Sequence, residues 1–138
     1  MTPERISLVL TALAAVVVVL TRVRMSATHE AAGRLDVPHR LVNVHTLFGV
    51  PALALWGSFL LVDSLRELVG YVGLLCWWVT TVAGLLLLVR WVPAHGRHAA
   101  DPAADSWGEG PGLSVLGHVG LLVGSIVWTW FLVSGKLG

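Results

Sequence analysis

Four long apolar stretches, none of them holding an Asp or a Glu, constrain this chain more than any other feature. They cover residues 6–21, 41–62, 68–89 and 113–133. A helix needs about 20 apolar residues to cross the hydrocarbon core of a bilayer. An isolated strand would leave its backbone N–H and C=O groups unpaired in lipid, so each stretch is expected to be helical. The expected fold is therefore all-α, an integral membrane four-helix up-down bundle forming one domain over residues 1–138.

Composition removes the competing classes. Charged residues make up 12 % of the chain, about half the roughly 25 % of a soluble domain. The net charge of +1 gives no basic face for nucleic acid. One cysteine in 138 residues cannot make a disulfide scaffold. What remains is a small polytopic membrane protein in contact with the lipid bilayer. Eight Arg against one Lys, with abundant Ala, Val, Gly and Leu, suggests a GC-rich bacterial genome and hence a bacterial plasma (inner) membrane.

The first stretch is short and could pass for a signal peptide. The segment before it, MTPERIS, is weakly charged, and the stronger positive charge follows at Arg22 and Arg24. It is read as a retained span. Spans two and three are joined by five residues, Asp63 to Glu67. Ser64 and Glu67 have the spacing of a capping box that would start the third helix. So short a joint makes these spans antiparallel neighbours. Pro51 removes one hydrogen bond from span two and is expected to kink it.

The two longer connections, residues 22–40 and 90–112, fall on one side of the membrane. Arg22, Arg24, Arg34, Arg40, Arg90 and Arg97 lie on that side; Arg5, Arg66 and Lys136 lie on the other. Six against three places the long loops in the cytoplasm and both termini outside.

All six histidines fall on the long-loop side: His29, His39, His45, His95, His98 and His118. His45 and His118 lie inside spans. Both spans start at the same face, and at 1.5 Å per residue both rings lie roughly 6–8 Å below the helix starts. Ionisable residues inside a span are costly and tend to be paired or functional. One reading is a bis-histidine haem b, whose iron takes a neutral imidazole nitrogen on each face. His45, Gly49, Ala52 and Trp56 share one face of span two, with small residues beyond the histidine. Gly117, Gly120 and Gly124 flank His118. Arg40, just over one turn before His45, and Arg90, at the end of span three, could meet the propionates. The other reading is packing. An intramembrane His hydrogen-bonds neighbours such as Asn43, Thr46 or Ser114, and Gly120-x-x-x-Gly124 is a helix-packing pattern that needs no cofactor.

The stretch HRLVNVHTLFGVPAL (His39 to Leu53), paired with LGHVGLLVGS (Leu116 to Ser125), resembles small transmembrane b-type cytochromes. The resemblance implies a helix bundle in which His45 and His118 are axial ligands of a haem used in electron transfer. Di-haem members of that group carry two histidine pairs at opposite membrane faces. This chain has no histidine near the outer face, so a single-haem subunit or anchor is the closer match.

The remaining features narrow the field. His95-x-x-His98, with Asp101 and Asp105 following, has the residue types of a metal site but no third firm ligand. It is read as a solvated interfacial loop. Of the seven tryptophans, Trp56, Trp91, Trp128 and Trp130 are expected in the interfacial belts. Trp77 and Trp78 are expected in packing or lipid contact, and Trp107 at the interface. Cys76 has no partner cysteine, which excludes thiol–disulfide chemistry. The absence of an embedded acid argues against proton-coupled transport. There is no phosphate loop, nucleophile elbow or H-E-x-x-H motif. No catalytic activity of its own is expected. Two functions stay open: a haem b electron-transfer or anchor subunit, and a cofactor-free accessory or assembly subunit of a larger membrane complex. Both imply other membrane protein subunits as partners.

Overall fold

The computed structural model describes residues 1–28, 39–62, 66–98 and 111–137. It is all-helical there, with α1 at Pro3–Thr28, α2 at His39–Leu61, α3 at Arg66–His98 and α4 at Pro111–Val133. Helices α1 and α4 open on a proline, whose fixed φ suits the first turn and whose missing N–H is not needed there. Thr2 caps α1, its Oγ1 accepting from the Arg5 N–H at 3.5 Å. At the far end of α4, Gly135 takes φ +66°. Its N–H donates to the Leu132 carbonyl at 3.1 Å, and the Lys136 N–H donates to the Phe131 carbonyl at 2.9 Å. This is a Schellman termination, and it turns Leu137 back into the core.

The helices outrun the apolar stretches. Residues 22–40 and 90–112, expected as loops, are partly helical: α1 continues to Thr28, α2 begins at His39, α3 runs past Pro93 to His98, and α4 begins at Pro111. Apolarity marks how far a helix can lie in lipid; it does not mark where its i→i−4 hydrogen bonds stop. His95 and His98 therefore stand on helix rather than loop. Their side chains, and Ser64, Asp101, Asp105 and Trp107, lie outside the described residues. Pro51 lies within α2, which continues through it.

Among the described residues three stretches are long and apolar enough to cross a membrane: Asn43–Leu61, Leu68–Val89 and Val115–Val133. The expected first span, 6–21, is helical throughout, but its side chains beyond Val16 lie outside the described residues. In the most apolar 18-residue window of each, 17 %, 39 % and 28 % of the residues are buried within the protein. Many of their large apolar side chains are exposed, which is compatible with lipid contact.

Helices α2 and α3 form the main seam and run antiparallel. Phe59 packs at Gly70, Trp56 at Gly73, Thr80 at Gly49, and His45 at Gly84. Each step along α2 is matched by an equal step in the opposite sense along α3. The two backbones come closest at Gly73, where a Cβ would stand 2.9 Å from the Trp56 backbone nitrogen. Only glycine permits that approach. Helix α4 runs antiparallel to α3, tied by Thr81 Oγ1 to Ser125 Oγ at 3.0 Å and by Trp78 Nε1 donating to Thr129 Oγ1 at 3.0 Å. Helix α1 packs on α2 and α4. Among the described residues α2 and α4 are diagonal partners that meet only through long side chains.

Those side chains are largely tryptophan. Trp56, Trp77 and Trp128 are fully buried. The Trp128 ring lies 5.5 Å from Trp56 and 5.1 Å from Trp77, centroid to centroid. The belt expectation is corrected for Trp56 and Trp128: they form the core. Gly73 lets the α2 backbone at Trp56 come close to α3, and the Trp128 ring packs against both Trp56 and Trp77. Trp130 is exposed as a belt residue should be, with the Lys136 ammonium 3.6 Å above its ring.

A candidate bis-imidazole site

The α2–α3 and α3–α4 pairings make α2 and α4 parallel. His45 and His118, each near the start of its helix, therefore arrive at one level. Their ring centroids lie 6.0 Å apart with the planes at 52°. Both rings are half-buried. The third wall is Gly84 of α3: a Cβ there would stand 2.5 Å from His118 Cδ2, 2.8 Å from His118 Nε2 and 3.2 Å from His45 Cδ2. Both imidazoles thus turn their Cδ2 edges to one point on the α3 backbone.

Two imidazoles bound on opposite sides of one metal would place their centroids about 6 Å apart. That is twice a metal–nitrogen length of about 2 Å plus about 1 Å from nitrogen to ring centre on each side. The 6.0 Å separation of His45 and His118 matches that spacing, and it is equally the spacing of an ordinary tilted ring pair. The room a flat macrocycle would need is the stricter test. His118 turns its Cδ2 and Nε2 toward Gly84, and His45 turns its Cδ2 there, so the α3 backbone stands where such a plane would extend. Among the described residues no group of three His, Cys, Asp or Glu could hold a metal ion.

The other expected site residues are less close. Arg40 is exposed and lies five residues before His45, on a different face of α2. Arg90 lies on α3 beyond Gly84, and its side chain is outside the described residues. Among the expected packing partners, Asn43 is exposed, Thr46 is half-buried, and Ser114 has no described side chain. Among the described residues Gly120 and Gly124 do not share a contact: a Cβ at Gly124 would meet the Trp128 ring, and one at Gly120 would have nothing within 4 Å.

Gly84 was not singled out by the sequence reading. A signal was available, since Gly70, Gly73, Thr80 and Gly84 form one stripe of small residues along α3. Its meaning depended on knowing which helix it faced. Comparison with models of protein families, with curated proteins and with solved structures gives no match.

Proposed function

We propose that this chain is a small polytopic protein of a bacterial inner membrane, with four spans in an up-down bundle, long loops in the cytoplasm and termini outside. We propose further that its functional centre is the His45–His118 pair, serving as the axial ligands of haem b in an electron-transfer or anchor subunit. The observation that carries this reading is the 6.0 Å separation of two imidazoles from diagonal helices. Nothing in the local sequence of either helix requires that meeting. When bound, the haem would supply one-electron transfer. The chain's own part is to hold two imidazoles at a common depth.

The approach of Gly84 favours a second reading, in which the imidazoles pack the seam of a cofactor-free accessory subunit. A dithionite-reduced minus oxidised spectrum of protein expressed with ample haem separates the two. The first reading expects a sharp b-type α-band that disappears in His45→Ala and in His118→Ala while both variants still insert. A flat spectrum from the intact protein, or full haem retention in both variants, overturns it.

A further inference from the structure

A flat macrocycle and a single ion ask different things of the gap between His45 and His118. The macrocycle needs a plane, and the α3 backbone stands in it. An ion needs one atom's room between two donors. Gly84 leaves that room. The point where its Cβ would sit lies 2.5 Å from His118 Cδ2, 2.8 Å from His118 Nε2 and 3.2 Å from His45 Cδ2, and glycine puts only hydrogen there. An atom at that point touches both rings. A shift of about 1 Å brings it to a metal–nitrogen length of about 2 Å from His118 Nε2. Ring centroids 6.0 Å apart let the second imidazole reach the same ion. Each imidazole has two ring nitrogens, so one can bind the ion while the other keeps a hydrogen bond.

The donor set selects the ion. Among the described residues no group of three His, Cys, Asp or Glu forms here, so two imidazoles are the whole set. Imidazole suits zinc, copper, iron and nickel. Zinc takes at least three protein ligands. Monovalent copper is the member of that group that accepts two donors in a line. Charge points the same way. Histidine ligates in its neutral form, and both rings are half-buried on apolar spans. The cost of burying an ion rises with the square of its charge, so a monovalent ion costs about a quarter as much as a divalent one.

We infer that His45 and His118 bind one monovalent copper ion, two-coordinate and seated over Gly84. The inference rests on this pair being the functional centre, as proposed above, and replaces its occupant. The ion and a haem cannot share the gap.

The test uses the full chain in detergent, titrated without oxygen with Cu(I) against a coloured Cu(I) chelator, and in parallel with Zn(II). One equivalent of Cu(I) is expected, with the X-ray absorption edge of a linear two-nitrogen site, and no zinc at the same concentration. His45→Ala and His118→Ala should each abolish binding. Gly84→Ala keeps both imidazoles but puts a methyl group in the gap, and should weaken binding about tenfold or more. Circular dichroism on each variant confirms that the helices persist. No binding by the intact chain, equal binding of zinc, or unchanged binding in the double histidine variant overturns the inference. The reduced-minus-oxidised spectrum separates its failure from that of haem. A b-type α-band lost in both histidine variants upholds haem and overturns the copper site. A flat spectrum with Cu(I) bound overturns haem alone, and a flat spectrum without it overturns both.

Discussion

Gly84 of α3 lies so close to His118 of α4 that a single added methyl group would stand 2.5 Å from His118 Cδ2. The same methyl would stand 3.2 Å from His45 Cδ2, so one backbone position governs where both imidazoles rest.

Gly84→Ala should push the His118 ring aside and destabilise the bundle by about 1–3 kcal/mol, the range for overpacking. Gly120→Ala is the control, since among the described residues nothing lies within 4 Å of a Cβ at that position. It should be neutral or gain up to about 1 kcal/mol from helix propensity. Thermal unfolding of both variants in one detergent checks the contrast.

Gly73→Ala meets backbone rather than side chain, 2.9 Å from the Trp56 nitrogen and 3.2 Å from its Cα. A ring can rotate away; a helix axis must move. This variant should therefore be less stable than Gly84→Ala. Equal unfolding midpoints for the two would contradict the assignment of Gly73 to the closest backbone approach of the seam.

Trp128→Ala should cost about 3–5 kcal/mol, as truncation of a buried aromatic does. Trp128 touches both Trp56 and Trp77, so its loss opens the centre of the bundle. Trp130→Ala, two residues on but exposed, should lose its contact with Lys136, about 0.5–1 kcal/mol, and its edge contact with Phe131, a smaller total than at Trp128. Denaturant titration of the two variants measures the difference.

Thr81→Val removes the one side-chain hydrogen bond joining Thr81 to Ser125 at 3.0 Å while keeping the side chain's shape. Such bonds between membrane helices average about 0.6 kcal/mol. A double-mutant cycle with Ser125→Ala should return a coupling energy of that size. A coupling near zero would mean that each hydroxyl is satisfied by its own helix, as Thr81 is in part through the Trp77 carbonyl at 2.8 Å.

Helix existence and approximate position were legible in the chain because lipid imposes a length and forbids unpaired backbone groups. The antiparallel α2–α3 pair followed from the short joint between them. Helix ends were misplaced, since Arg22, Arg24, Pro93 and Gly96 were read as loop residues. Trp56 and Trp128 were misassigned for a related reason. Belt and core tryptophans look alike until the facing residues are known; Trp56 and Trp128 face one another, and Trp128 faces Trp77, in the centre of the bundle. Of the candidate site, the common depth of His45 and His118 could be counted along the helices, whereas Gly84 could not be tied to them.

The sequence by itself determined the all-helical class and the positions of the apolar stretches, because both depend on composition along one segment at a time. Only the tertiary structure decided that α2 and α4 lie diagonally, that three tryptophans fill the centre, and that Gly84 closes one side of the imidazole pair. Those outcomes depend on the rotation of each helix about its own axis. That rotation is set by interlocking large and small side chains from different segments, and no single segment contains it.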